Sequence, residues 1–380
     1  MLPNYTFAEF FSGGGMVRAG LGSNWKCVLA NDIDPKKCDS YRKNWSSEHL
    51  FQCDISDVPN TALLQKTDVY WASSPCQDFS LAGKGRGLGG DRSSAFFPWI
   101  KKLTYAVENG YAPKIIAFEN VTGLLTANNG RDFSAVFDAI AEQGYRVGAA
   151  IIDAKSFLPH SRPRLFVIGV RNDIPVPSFM TSEMAFAKAD RIKKAYLDLP
   201  AESQKKWIWW KLDLIQSNKM VFSDILDQNI PENRWFSGEQ TSKLIEMMSA
   251  HNKEKVAHAQ RLKRLVVGTI YKRGRPNEFG KTVQRAEIRL DGLAGCLRTP
   301  GGGSSKQSVM VINGDSVRAR LLTIGEAAQL MGLPSWYQMP NNYNEAYRLA
   351  GDGVVVPVVE FLCKTIFEPI VKTQMSQKAA

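Results

Sequence analysis

Residue types able to do covalent and acid–base chemistry stand at the ends of apolar runs in this chain. The run Asp68-Val69-Tyr70-Trp71-Ala72 leads into Ser73-Ser74-Pro75-Cys76-Gln77-Asp78-Phe79-Ser80. The run Lys114-Ile115-Ile116-Ala117-Phe118 leads into Glu119-Asn120-Val121. Two further runs, 147–152 and 165–170, flank Pro159-His160-Ser161-Arg162-Pro163-Arg164. A thiolate is a strong nucleophile. A carboxyl group after an apolar strand is costly unless paired or functional, and a guanidinium can hold developing negative charge. Each has a bland explanation too: a lone cysteine is usually a small buried hydrophobe, the acid can cap a helix, and the arginines can be surface. The stretch after Cys76 weighs against the first. Gly83, Lys84, Gly85, Arg86, Gly87, Gly89, Gly90 and Arg92 cannot pack a core, but such a loop can move and meet phosphates.

The first apolar run, Tyr5 to Phe11, enters Ser12-Gly13-Gly14-Gly15, where glycines let the backbone turn tightly and approach a ligand. Asp32 follows at the end of the second run, about 20 residues on, where an acid can hold ribose hydroxyls. Asp54, after the third, could accept from an adenine amino group. The turn is not GxGxxG, which favours a nucleoside ligand over a pyrophosphate-bearing dinucleotide; a glycine-rich turn by itself is weak evidence.

The elements that must position these groups are short apolar strands alternating with helix-length segments such as 133–143. That pattern predicts an α/β fold, a doubly wound, mostly parallel (Rossmann-like) sheet, with ligands outside the carboxyl ends of its strands. The runs at 147–152 and 165–170 are joined too briefly for a helical crossover and read as an antiparallel pair at the sheet edge. After Ile174-Pro175-Val176-Pro177 the alternation stops until about 290. Helical, charge-rich stretches are expected around 183–197 and 238–265, with an aromatic patch at Trp207, Trp209 and Trp210. A basic cluster including Arg273, Arg275 and Arg285 follows. Helical signals return at 323–331 and 354–367. The expected organisation is a catalytic domain of 1–177 plus 338–380 and a smaller domain of 178–337.

Lys and Arg total 48 against 37 Asp and Glu, a net charge of +11 that suits a polyanionic partner. Six cysteines without CxxC spacing and four scattered histidines give a metal site little support and fit a reduced cytosolic protein. No run approaches the ~18 apolar residues of a membrane span, and the N-terminus lacks a secretion signal. A cytoplasmic, nucleoid-associated monomer is expected.

Taken together, these residues resemble the cytosine-5 DNA methyltransferase family of bacterial type. The resemblance rests on Phe11, Gly13 and Gly15 of the first turn; Pro75-Cys76-Gln77; Glu119-Asn120-Val121; Arg162 and Arg164; Arg298-Thr299-Pro300-Gly301-Gly302-Gly303; and Gly351-Asp352-Gly353-Val354-Val355-Val356-Pro357. The motifs occur in the family's order and cover most of the chain outside about 178–285. His160 stands where the family usually has Gln, Asp352-Gly353 where it has Asn-Ser, and Met16 in place of a common glycine.

The resemblance implies S-adenosylmethionine as cofactor, bound by Phe11, Gly13, Gly15, Asp32, Ile33, Asp54, Ile55, Pro75, Asp352 and Val354. Phe11 and Ile33 would sandwich the adenine, and residues 351–355 would fold back beside the cofactor. It implies duplex DNA as substrate, with Gln77, Ser80, Lys84, Arg86, Arg92, Arg273 and Arg275 at the DNA and 178–337 as target-recognition domain. Cys76 would attack C6 of a flipped-out cytosine, Glu119 would bind N3 and the exocyclic amine, Arg164 would hold O2, and Arg162 would support that site. A tRNA cytosine methyltransferase of the same family and an inactive DNA-binding regulator remain alternatives. The recognised sequence and any separately acting cognate restriction endonuclease are left open.

Overall fold

The computed structural model describes residues 4–75, 95–184, 189–213, 220–277, 279–299 and 306–379. Cys76, Gln77, Ser80, Lys84, Arg86 and Arg92 lie outside the described residues. Two compact units are present: Met1–Asp153, Pro163–Leu214 and Val356–Ala380 form the first, and Ala154–Arg162 with Ile215–Val355 the second.

In the first unit, among the described residues, strands β1 (Tyr5–Phe10), β2 (Trp25–Asp32), β3 (Leu50–Gln52), β4 (Val69–Ala72), β5 (Ile115–Val121), β6 (Tyr145–Asp153) and β7 (Pro163–Arg171) form one sheet. Their order is β3-β2-β1-β4-β5-β7-β6. β1 to β5 pair in parallel, while β7 runs antiparallel to both β5 and β6. The antiparallel edge pair expected from the short 153–164 connection is therefore present. Helices α1 (Met16–Leu21), α2 (Pro35–Asn44), α3 (Phe96–Glu108) and α4 (Arg131–Ala141) alternate with the strands. α3 shows why such segments become helices here: Phe96, Trp99, Ile100, Leu103 and Ala106 recur at helical spacing and are buried. They meet Phe10, Tyr70 and Phe118, which the strands turn to the same side.

Strand order reverses between β1 and β4, the switch point where open α/β sheets hold ligands at the strands' carboxyl ends. The register sets Phe10 beside Ala72 and Ala72 beside Phe118. The sheet thus brings the Phe11 turn, the Pro75 segment and Glu119 to neighbouring strand ends.

Packing places both expected domain boundaries elsewhere. Residues 178–214 belong to the first unit rather than the second. Trp207 stacks on Phe137 of α4 with ring centroids 5.3 Å apart. The Ile208 N–H donates to the Val147 carbonyl and the Val147 N–H to the Lys206 carbonyl, both at 2.9 Å, which covers the edge of β6. Residues 338–355 belong to the second unit.

The second unit also contains structure that the sequence pattern did not announce. β8 (Leu265–Pro276), β9 (Thr282–Arg289), β10 (Ser308–Asn313) and β11 (Ser316–Leu321) form an antiparallel sheet in the order β11-β10-β8-β9. Ile270, Ala286, Ile288, Met310, Ile312 and Ala319 form its core with Leu244, Met248, Val256 and Ala259 from the helices Gly238–Glu246 and Ala250–Arg261 and the turn between them. In β8 an apolar run, Leu265 to Tyr271, passes directly into Lys272, Arg273 and Arg275, and β9 interleaves Arg285 and Arg289 with Val283, Ala286 and Ile288, so composition there reads as a basic cluster.

Candidate active site

At the end of β1 the backbone turns through Phe11 (φ 57), Gly13 (φ 56) and Gly15 (φ 77), all left-handed. Such a φ is strained for a bulky non-glycine residue, and strain of this kind clusters at functional sites. Gly15 admits no side chain, since a Cβ there would lie 2.3 Å from Trp45 Nε1. At Gly13 the same direction meets nothing within 4 Å, which leaves room for a ligand against the main chain. Met16, in place of the family's common glycine, is buried as the first residue of α1.

Asp32 holds this turn. Its Oδ2 accepts from the Gly13 N–H and its Oδ1 from the Asp34 N–H, each at 2.8 Å. Burial pushes its carboxyl above the usual range, opposed by Lys37 and these hydrogen bonds. A carboxylate offers about four acceptor positions, so both oxygens keep capacity for a ligand hydroxyl. Ile33 follows with 63% of its surface exposed, unusual for an aliphatic side chain beside a concave turn. Asp54 is exposed and caps the short turn Ile55–Asp57, its Oδ1 accepting from the Ser56 N–H at 2.8 Å. The Ile55 side chain is only 3% exposed and packs in the core, so only its main chain can meet a ligand. An open glycine backbone, an acid, a bared apolar side chain and a second acid fit an adenosyl group.

Beside this turn, β4 ends in a fixed geometry. The Ser73 N–H donates to the Phe10 carbonyl at 3.3 Å, and Asn120 Nδ2 donates to Ser74 Oγ at 3.2 Å. Pro75 follows, exposed. Asn120 and Ser74 are both buried, and their contact ties the Glu119 strand to the segment that leads into Cys76. Sequence reasoning noted Asn120 within a motif but gave it no task.

Glu119 and Arg164 come together. Val121 faces Arg164 and Glu119 faces Phe166 across the β5–β7 register, which puts Glu119 and Arg164 on one face as a diagonal pair. Arg164 Nε lies 3.2 Å from Glu119 Oε1, with side-chain exposures of 15% and 9%. Arg164 Nη1 also donates to the Pro163 carbonyl at 2.9 Å.

Arg162 has a different post. It lies in the second unit, and its guanidinium donates to the Leu297, Gly351 and Gly353 carbonyls at 2.8, 2.9 and 2.7 Å and to Cys296 Sγ at 3.4 Å. Arg162 thus clamps the 296–297 and 351–353 segments. Asp352 accepts from the Thr299 hydroxyl and Val354 is buried, both within the second unit. His160 is fully buried; its Nε2 accepts from the Leu297 N–H at 3.2 Å, and its Nδ1 lies 2.8 Å from the Leu330 carbonyl. One donor and one acceptor on a planar side chain are what a glutamine amide would also offer.

Sequence reasoning passed over Glu9, whose signal was an acid inside the apolar run of β1. It is 1% exposed, with one carboxyl oxygen lacking a hydrogen-bond partner. Burial pushes its carboxyl up to about 8, opposed by Arg18 and by a hydrogen bond from the Val17 main chain.

The model of the C-5 cytosine-specific DNA methylase family matches residues 5–368. The chain belongs to this family. It is therefore a DNA cytosine-5 methyltransferase that uses S-adenosylmethionine. The type II methyltransferase M.HhaI of Haemophilus parahaemolyticus is 25% identical over 370 residues, 96% of this chain and 95% of that protein. M.BanI of Aneurinibacillus aneurinilyticus is 31% identical over 205 residues, which span 52% of this chain and 45% of that protein. Among solved structures, S. pombe Dnmt2 methyltransferase shares the fold with a TM-score of 0.57 at 17% identity, covering 96% of this chain and 98% of that one. Entamoeba histolytica methyltransferase EhMeth does so with a TM-score of 0.59 at 16% identity and the same coverage.

Proposed function

We propose that this family member methylates cytosine in duplex DNA with Cys76 as nucleophile, Glu119 and Arg164 as the groups that hold the base, and 215–355 as the unit that reads the sequence. The observation that carries the reading is the Glu119–Arg164 pair, in reach of solvent at the strand ends next to the Pro75 segment. Among the described cysteines, burial pushes the thiols of Cys27, Cys38 and Cys363 up to about 12 and raises that of Cys53. A thiolate is the nucleophilic form, so these four are poorly suited to attack.

Cytosine C5 is too weak a nucleophile to take a methyl group unaided, and covalent addition divides the hard step. The Cys76 thiolate adds to C6, and C5 becomes an enamine carbon. Glu119 holds the N3 and amino edge as charge shifts there, and Arg164 faces O2, where negative charge develops. S-adenosylmethionine, when bound, supplies the methyl group that C5 accepts. Loss of the C5 proton to a base and departure of Cys76 then restore aromaticity. The base must leave the stack, because C6 is out of reach within it. Phe11, Asp32, Ile33 and Asp54 would hold the adenosyl group, and Arg273 and Arg275 would face DNA.

The test is a duplex carrying 5-fluorocytosine at the target. Fluorine cannot leave as a proton, so wild-type protein with S-adenosylmethionine should give a denaturation-resistant adduct at Cys76, and Cys76→Ser little or none. Mapping of the adduct to another cysteine overturns the assignment. Parallel assays on tRNA decide between nucleic acids.

A further inference from the structure

The glycine turn after β1 is held from behind by a row of side chains on α1, α2 and the segment that follows α2. The Gly14–Gly15 peptide is bound at both of its polar ends. The Gly15 N–H donates to the Ser12 carbonyl at 2.9 Å, and the Gly14 carbonyl accepts from Trp45 Nε1 at 3.2 Å. Asp32 holds the Gly13 N–H, which belongs to the preceding Ser12–Gly13 peptide. Two side chains thus fix two separate peptide planes of one turn.

Trp45 follows the last residue of α2, and its N–H donates to the Tyr41 carbonyl at 2.9 Å. Its indole occupies the space that a Cβ on Gly15 would need. The Arg18 guanidinium, from α1, lies 4.7 Å from the centre of the Trp45 ring, within cation–π distance. Arg18 is anchored in turn. Its Nη1 donates to His49 Nε2 at 2.9 Å and to the Tyr41 hydroxyl at 3.3 Å. A guanidinium only donates, so His49 accepts as the neutral imidazole with its proton on Nδ1. Burial, reinforced by Arg18 and Lys26, holds that imidazole down at about 4. The Tyr41 hydroxyl lies 2.9 Å from His49 Nε2 and donates to Cys27 Sγ at 3.5 Å.

Glycine is the residue for which such rigidity must come from outside. Without a Cβ, φ of either sign is about equally accessible, and Gly13 and Gly15 both take positive values. A turn of glycines left unheld would rotate among several conformations. A ligand that fits one of them must first populate it, and its apparent affinity falls by the fraction of time that form is present.

We propose that Trp45 and Arg18 are positioning residues for S-adenosylmethionine. Trp45 locks the Gly14–Gly15 peptide in the orientation that leaves the turn open to the ligand, and Arg18, seated on His49 and Tyr41, keeps the indole in place. Both act through the main chain of the turn. This rests on the reading of the Phe11–Gly15 turn as the cofactor's seat.

The test uses the full-length protein. Calorimetry with S-adenosylhomocysteine reads binding without turnover, and initial rates on duplex DNA separate KM for S-adenosylmethionine from kcat. Trp45→Ala should weaken binding and raise KM about tenfold, with kcat at saturating cofactor within about twofold of wild type. A loss of folded protein acts differently, since it lowers kcat and leaves KM unchanged. Trp45→Phe keeps a ring under Arg18 but no donor to Gly14, and should weaken binding about threefold. Arg18→Met, uncharged and unbranched, should weaken it about fivefold, and Arg18→Lys, which restores a cation over the ring, should recover most of that loss. Wild-type cofactor affinity in Trp45→Ala, or a fall in kcat with KM unchanged, overturns the proposal. Phe11→Ala tests the seat itself. If it binds cofactor as wild type does, the reading of the seat fails; if it alone loses affinity, the seat stands and the roles of Trp45 and Arg18 fall.

Discussion

Arg164 reaches diagonally across the β5–β7 register to place its Nε 3.2 Å from Glu119 Oε1, near the carboxyl end of β5. Each group offsets the cost of burying the other. The pair is assembled before any base arrives, with strand pairing rather than loop conformation setting its spacing.

Glu119→Gln keeps the shape and removes the charge. Methyl transfer in a single turnover should slow about a hundredfold or more, with S-adenosylmethionine affinity unchanged by calorimetry. Arg164→Ala should slow the same step and also lower the melting temperature, because it leaves Glu119 without its partner. A Glu119→Gln protein as fast as wild type would remove the carboxyl group from the chemistry.

Ile33 and Asp32 should separate binding from stability. Ile33→Ala deletes a side chain that is 63% exposed, so it should weaken S-adenosylmethionine binding by about 1 kcal/mol while leaving the melting temperature in place. Asp32→Ala should weaken cofactor binding by about 1.5–3 kcal/mol. It should also destabilise the fold, since the Gly13 and Asp34 N–H groups lose their acceptor. Equal cofactor affinity in wild type and both variants would move the adenosyl site elsewhere.

Glu9 makes stability depend on pH. Its carboxyl titrates at about 8 in the folded protein against an ordinary value of 4.5. Below the ordinary value both states carry the proton. Between the two values the folded state binds a proton that the unfolded state has lost, so this residue's contribution falls as pH rises and is fully lost above about 8. Glu9→Gln removes that term. Its stability relative to wild type should climb between pH 5 and 8 and then level off, as read by denaturant melts. Parallel pH curves for the two proteins would contradict it.

His160 should tolerate the amide it replaces. His160→Gln can again accept from the Leu297 N–H and donate to the Leu330 carbonyl, at a cost within about 1 kcal/mol. His160→Ala strands both buried main-chain groups and should cost about 2 kcal/mol or more. Equal melting temperatures for the alanine and glutamine variants would show that neither hydrogen bond matters.

The sequence by itself determined the strand ends. Apolar runs bounded by Gly13, Asp32, Pro75, Glu119 and Arg164 are local signals: a polar group after a buried strand is legible from its neighbours alone, and alternation with helical segments orders the sheet. Arg162 could not be read this way. It sits two residues from Arg164 in sequence, yet its guanidinium closes on carbonyls 135 to 191 positions away. The same holds for Trp207, whose place against Phe137 assigns 178–214 to the first unit. In β8 and β9 the basic residues that follow or interleave the apolar ones masked a sheet whose core positions gain their burial from β10 and two helices. Sequence pattern reports which face of an element is apolar. Which distant surface covers that face, and which carbonyls a buried cation must satisfy, are fixed only when the chain closes on itself.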